Sequence, residues 1–207
     1  MSKLRVFVVR HGETQWVRER RFAGSRDIPL APEGRRQCAA VGRALADSGV
    51  AAVYTSPLER ARASAELIAE PHHLPVRIAP AFVEMAFGSW EGLTRDEVQA
   101  RFPEAWAQWR SAPHLLELAG AETLTGVAAR VAAGVAELQQ AHPGQAVVLV
   151  SHAIVARVLV LDALGLGLDR IWTLDATPAG ITEIEYEPGW ATVHRMNTVA
   201  HLDAVTP

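Results

Sequence analysis

The sequence predicts an α/β fold, a three-layer α/β/α sandwich with a mainly parallel sheet and a small helical cap insertion. Two observations carry this. Short apolar, β-branched runs of the kind buried on both faces of a parallel sheet alternate with stretches of helical periodicity. The length of 207 residues, 49% of them hydrophobic and 21% charged, suits one domain with a sizeable core. The domain is therefore drawn over 1–207, with the cap at about 82–118.

Leu4 to Val9 reads as a buried first strand that ends at Arg10-His11-Gly12. The polar, Arg-rich stretch to Leu30, with Gly24 and Pro29, reads as a long loop or short helix over the surface. Loops of that length are often functional. Pro32 opens a helix with Cys38, Val41 and Leu45 on one face, and Gly49 is expected to end it. Ala51 to Tyr54 is the next strand. Ser56 and Glu59 have capping-box spacing, which predicts a helix with Leu58, Ala61, Ala65 and Ile68 inward and Arg60 in its first turn. Arg62 falls on the opposite face, where it is expected to pair with Glu66.

Val76 to Ile78 is a third short strand. From Phe82 to Leu118, Trp, Pro and charged residues interrupt the alternation, which predicts the cap. Leu124, Val127, Val131, Val135 and Leu138 recur at helical spacing before Ala146 to Val150, the most apolar strand, which ends at Ser151-His152. Ile154, Val155, Val158 and Leu159 mark another helix. Ile181 to Tyr186 and Ala191 to Arg195, around Pro188-Gly189, read as an edge hairpin.

Composition excludes much chemistry. Lys3 is the single lysine among 20 basic residues, so a Walker phosphate loop, a Schiff-base lysine and a catalytic lysine deeper in the chain are ruled out. Cys38 is the single cysteine, which excludes an intramolecular disulfide and a four-cysteine zinc site, and a reducing compartment follows. The Leu4 to Val9 run is too short for a signal-peptide or membrane-spanning core, so a cytoplasmic location is expected. A formal charge of -3 gives no general attraction to nucleic acid or anionic lipid, so any anion site must be a local cluster.

Such a cluster is readable. Ligands of open α/β sheets bind beyond the carboxyl ends of the strands, where helix N-termini also point. Arg10 and His11 follow the first strand, Arg60 lies just past the second, and His152 follows the last core strand. Guanidinium forks match phosphoryl oxygens, so these residues describe a phosphoryl site. Neighbouring arginines penalise the imidazolium, which leaves a histidine free to attack phosphorus. The leaving alkoxide needs a proton, and a carboxylic acid beside a bound phosphate dianion supplies it, worth about 10²–10⁴-fold. Glu84 and Glu91, in the loop Glu84-Met-Ala-Phe-Gly88-Ser-Trp90-Glu91-Gly92, both qualify on the residues alone.

These residues resemble the histidine phosphatase superfamily, also called phosphoglycerate-mutase-like, over nearly the whole chain. The motifs are Arg10 to Thr14, Ser56 to Ala61, Glu84 to Gly92 and Ser151-His152, in the family's order and spacing; Gly120 to Thr123 and Asn197 with His201-Leu202 resemble further family segments. The resemblance implies a metal-independent hydrolase without a cofactor. It implies that His11 becomes phosphorylated, that Arg10, Arg60 and His152 hold the phosphate, and that Glu84 is the acid. The chain departs from the family at Val17, where Asn is usual, at Ala23, where Gln is usual, and at Ala153, where Gly is usual.

Glu13, Thr14, Trp16, Arg21 and Glu122 are candidates for the substrate side of the cleft, each equally suited to capping, surface charge or packing. Trp90, Trp106 and Trp109 suit packing of the cap more than stacking on a ring. His72, His73, His114, His142 and His194 lack metal-ligand spacing and read as exposed or structural, whereas His201 is a candidate for touching the site. Cys38 and Arg43 are one residue short of the Cys-x5-Arg spacing of cysteine phosphatases, so Cys38 reads as core.

The expected function is hydrolysis of a small phosphomonoester through phosphohistidine. A cofactor-dependent phosphoglycerate mutase is the nearest alternative, and a non-catalytic phosphate-ligand sensor comes next. The expected partner is a small molecule, neither nucleic acid nor membrane, and a homodimer through a sheet edge is compatible with the fold. The substrate itself is not encoded in a readable motif.

Overall fold

The computed structural model describes residues 3–203. Its sheet has six strands in the order β3-β2-β4-β1-β5-β6. These are β1 (Leu4–Arg10), β2 (Val50–Thr55), β3 (Val76–Ile78), β4 (Ala146–Ser151), β5 (Ile181–Glu187) and β6 (Trp190–Thr198). The first four are parallel, while β5 runs antiparallel to β1 and forms a hairpin with β6.

The helices are α1 (Gln15–Arg18), α2 (Pro32–Ala44), α3 (Glu59–Ala69), α4 (Arg95–Arg101), α5 (Pro103–Ser111), α6 (Leu124–Ala141) and α7 (Ala153–Ala163). Strand residues alternate between two faces, and in β1 and β4 both faces are apolar. Leu4, Val6, Val8, Val147 and Leu149 pack with the inner faces of α6 and α7. Phe7, Val9, Val148 and Val150 pack with those of α2 and α3. This is the three-layer sandwich. Among the described residues no helix is long and apolar enough to cross a membrane.

Three local expectations are corrected. Helix α2 ends at Ala44, well before Gly49, because buried Leu45 caps it and the i to i−3 bonds Ala46 to Arg43 and Ser48 to Leu45 tighten the chain into a turn. The capping box at Ser56 does not form. Leu58 is the N-cap of α3 and only half-buried; the Glu59 N–H donates to Asp27 instead, at 2.7 Å. Arg62 and Glu66 both face solvent, but no ion pair joins them, as is common for exposed charges whose pairing gains little.

Between β3 and α6 the chain forms a 3-10 turn at Pro80–Phe82, another at Gly88–Trp90, then α4, α5 and a turn at Pro113–Leu115. Its buried side chains Phe82, Met85, Phe87, Trp90, Val98 and Trp109 join the core on the α6 and α7 side of the sheet. Trp90 is fully buried, which makes it a packing residue.

Candidate active site

Strand order creates the site. Because β4 lies between β1 and β2, the ends of three strands distant in sequence meet at one edge, where connections depart in different directions. Arg10 is in register with Ser151, and the backbone N–H of His11 donates to the Ser151 carbonyl at 2.9 Å. On the other side of β4 the Ser56 N–H donates to the Val150 carbonyl at 3.1 Å. Gly12 lets α2 approach this turn closely, since a Cβ there would overlap the Gly34 carbonyl and the Cys38 sulfur.

The ring of His11 is 4% exposed and lies at the bottom of a crevice of about 560 Å³. Its Nδ1 is 2.7 Å from the Gly12 carbonyl oxygen. A carbonyl only accepts, so Nδ1 carries the proton and Nε2 keeps its lone pair. Burial first, then the charges of Arg60 and Arg10, hold this imidazole well below the usual histidine range. The result is a neutral imidazole of defined tautomer.

Two arginines flank it. Arg60, 1% exposed, donates from its two terminal nitrogens to the carbonyls of Arg26 (2.6 Å) and Gly24 (2.8 Å). Arg10 donates to the Ala176 carbonyl at 2.6 Å. The buried Nε of each has no partner among the described residues, an uncommon state for a strong donor. Burial lowers both groups, Arg10 to about 10 with repulsion from Arg157 as the second cause, so both remain cationic at neutral pH.

His152 is fully buried, its ring centroid 5.2 Å from that of His11. Its Nε2 is 2.7 Å from the Ser56 hydroxyl, which also accepts from the Leu58 N–H at 3.3 Å. The hydroxyl proton is thus free to go to Nε2, which puts the ring proton on Nδ1, and Nδ1 has no partner among the described residues. Burial first, then the charges of Arg60 and Arg10, hold this ring well below the usual histidine range as well. Three buried, uncommitted donors therefore surround His11: the Nε of Arg10, the Nε of Arg60 and the Nδ1 of His152.

The two glutamates separate by direction. Glu84, 8% exposed, lines the crevice with His11, Arg10 and Arg60, and accepts from the backbone N–H of Met85 (3.0 Å) and of Ile154 at the start of α7 (3.4 Å). Glu91 does not line the crevice. It accepts from the N–H groups of Ser25 and Phe87 and from the Ser25 hydroxyl, and it pairs with Arg26 at 3.3 Å. In doing so it holds the loop whose carbonyls hold Arg60.

Of the five substrate-side candidates only Arg21 lines the crevice, its guanidinium bonded to the Gly92 carbonyl and paired with Glu19 and Glu97. Glu13 pairs with Arg18, and the Thr14 hydroxyl caps α1 by accepting from Val17. Trp16 packs over Gly92, and Glu122 is held by both ends of the Arg130 fork. These four are satisfied elsewhere and stand outside the crevice. His201 is also outside it, bonded to the Ala179 carbonyl, while the Ala179 N–H donates to the Arg10 carbonyl. His142 is structural, between Tyr54 and Gln145. Cys38 is fully buried and its thiol is pushed up to about 11 by burial, as a core residue requires. Val17 and Ala23 form apolar wall.

Several crevice residues had not been singled out: Arg20, Arg95, Arg110, Arg157, Trp172 and Asp175. Arg157 had a usable signal, being one turn beyond Ala153 on the helix that His152 caps, where residues four apart share a face. It donates to the carbonyls of Leu174 and Ala153 and lies over the Trp172 ring. The others come from segments without a motif.

Known proteins share this arrangement of chain. Phosphoserine phosphatase 1 of Hydrogenobacter thermophilus is 30% identical over 96% of this chain and 94% of its own. A probable phosphoglycerate mutase, GpmB of Salmonella paratyphi B, is 31% identical over 97% of this chain and 96% of its own. The solved structure of Bacillus stearothermophilus YhfR superposes with a TM-score of 0.91 at 31% identity, covering 96% of this chain and 99% of that one. The family description Histidine phosphatase superfamily (branch 1) matches residues 6–199. The chain belongs to the histidine phosphatase superfamily.

Proposed function

We propose that this protein hydrolyses a small phosphomonoester through a phosphohistidine at His11, without a metal. The observation that carries the reading is the His11 ring itself: Nδ1–H is committed to Gly12, and Arg10, Arg60 and Glu84 line the same crevice. Nε2 attacks phosphorus while the bond from phosphorus to the substrate oxygen breaks. The free Nε–H groups of Arg10 and Arg60 and the Nδ1–H of His152 take the equatorial oxygens, where charge accumulates. Glu84 delivers a proton to the departing oxygen, which leaves as an alcohol. Its carboxylate then takes a proton from water as that water attacks the phosphohistidine, and inorganic phosphate departs with His11 and Glu84 restored.

The segment 82–118 acts as the cap of a single domain over this crevice, to which it contributes Glu84, Phe87, Arg95, Trp106, Trp109 and Arg110. Substrate choice resides there. The phosphoserine phosphatase relative supports hydrolysis. The mutase relative is of nearly equal span, so chain length alone does not set water apart from a second acceptor, and phosphate release against 3-phosphoglycerate interconversion decides between them.

The experiment is phosphoenzyme trapping. A ³²P-labelled substrate, or phosphoserine as a first probe, gives an acid-labile, alkali-stable label on the wild type, and turnover persists in excess chelator. Normal labelling of His11→Ala, or loss of turnover on chelation, refutes the proposal. The same reading assigns the enzyme to the cytoplasm with a diffusible substrate instead of nucleic acid, which fractionation tests. A homodimer paired along the free edge of β6 is its expected association, which sedimentation tests.

A further inference from the structure

Resting on the hydrolytic reading above, we propose that the outer crevice binds a second anionic group of the substrate. The enzyme is then selective for phosphomonoesters that also carry a carboxylate or a second phosphate.

The charge balance of the crevice motivates this. Seven arginines line it, at 10, 20, 21, 60, 95, 110 and 157, against two carboxylates, Glu84 and Asp175, in a chain of formal charge -3. Arg10 and Arg60 belong to the phosphoryl end. Arg21 is neutralised by Glu19 and Glu97, and Arg157 by Asp175 at 3.3 Å. Arg20, Arg95 and Arg110 are exposed at the rim and make no ion pair among the described residues.

The cations also form a series. Arg10 is repelled by Arg157, and Arg157 more weakly by Arg95, with Asp175 and Glu84 offsetting part of this repulsion at Arg10 and more than offsetting it at Arg157. Burial is the larger influence on both inner members, but the repulsion adds to it. An anion at the Arg95 end relieves that repulsion where a neutral group does not.

Shape agrees with charge. About 560 Å³ falls within the range of roughly 300–1,000 Å³ that accommodates whole small ligands, more than one phosphoryl group fills. The half-buried rings of Trp106 and Trp172, with the buried Trp109, line the same crevice and suit the uncharged body of a substrate. Trp106, Trp109 and Arg110 are all carried on the short helix α5.

The test compares kcat/KM within matched pairs. In the carboxylate arm, 4-phosphooxybenzoate is set against 4-phosphooxybenzamide; in the phosphate arm, 1,3-propanediol bisphosphate is set against its monophosphate. The wild type is expected to favour the extra anion by about tenfold or more in at least one arm, the discrimination a charged hydrogen bond gives. The doubly substituted Arg95→Ala, Arg110→Ala enzyme is expected to bring that ratio to within about twofold of unity, mainly through KM. Raising ionic strength should erode the wild-type preference, a readout that needs no variant.

A wild-type ratio near unity in both arms overturns the proposal, as does a preference that the double variant retains. Failure to turn over any of the four compounds, with no label on His11, overturns the hydrolytic reading instead. The arm showing the preference identifies which anion is bound.

Discussion

Exchanging Glu84 and Glu91 one at a time for glutamine gives opposite outcomes if the geometry assigns their roles. Glu91 has a side chain only 6% exposed that receives the Ser25 N–H (3.0 Å), the Ser25 hydroxyl (3.0 Å) and the Phe87 N–H (3.1 Å), and it pairs with Arg26 at 3.3 Å. The amide of Glu91→Gln keeps one acceptor oxygen for the backbone donors but turns an NH2 towards Arg26. Losing the charge weakens the hydrogen bonds from Ser25 and Phe87 to a side chain only 6% exposed, by about 1.5–3 kcal/mol, while the pair with Arg26, itself 68% exposed, adds little. In a chain of this size that lowers Tm by about 3–12 °C, each kcal/mol being worth about 2–4 °C. The loop it releases carries the Gly24 and Arg26 carbonyls that hold Arg60, so KM should rise and kcat should fall by far less than in Glu84→Gln. Glu84→Gln keeps one acceptor oxygen for the Met85 N–H, loses the longer bond from the Ile154 N–H and has no proton to give. Its kcat should fall about 10²–10⁴-fold with an alkyl phosphate. With 4-nitrophenyl phosphate, whose leaving group needs little protonation, most of that loss should disappear. Thermal scans and steady-state kinetics on the two variants suffice. A large kcat loss in Glu91→Gln at unchanged Tm, together with an active Glu84→Gln, would refute the assignment.

Acid sensitivity and steric fit supply the other expectations. His11 and His152 are both held below the usual histidine range by burial and by arginine charge, so the unfolded chain takes up protons near pH 6.5 that the folded one refuses. Their contribution to stability is complete above that pH and falls as the pH drops below it, by about 1.4 kcal/mol per pH unit for each ring. Denaturant titrations of the wild type and of His152→Gln between pH 7 and 5 should show the shallower slope in the variant; equal slopes would contradict the buried neutral rings. Gly12→Ala places a methyl group against the Gly34 carbonyl and the Cys38 sulfur and should cost about 1–3 kcal/mol by denaturant titration. An unchanged midpoint would mean that α2 moves aside freely.

The strands of the central sheet were legible because β1 and β4 are buried on both faces, and no other element writes such an unbroken apolar run. The residues at their ends were legible for the same reason, since a charged residue directly after a buried strand has one place to go. Ser56 was misread because its spacing to Glu59 is that of a capping box, while the partner that captures its hydroxyl, His152, comes from a distant strand. Glu84 and Glu91 share one loop, and only the turn at Gly88, with φ +53, sends one towards the phosphoryl end and the other towards Ser25. Arg95 and Arg110 were missed because an exposed arginine on a short helix has the same local pattern whether it faces bulk water or a crevice. Their significance arises from what the three-dimensional arrangement places opposite them.

The bond from the His11 N–H to the Ser151 carbonyl joins two strand ends about 140 residues apart in the chain. During translation β1 appears first, apolar on both sides, and its neighbour β4 follows only after most of the chain has been made. Until then β1 is a sticky segment that other copies can capture, which makes this ordering the stage most exposed to aggregation and to chaperone dependence. A phosphate analogue that recognises only the joined strands adds about 2.7 kcal/mol to stability at a hundredfold excess over its Kd. On the proposed mechanism, inorganic phosphate in the refolding buffer is expected to act as such a ligand and to favour the joining of β1 and β4.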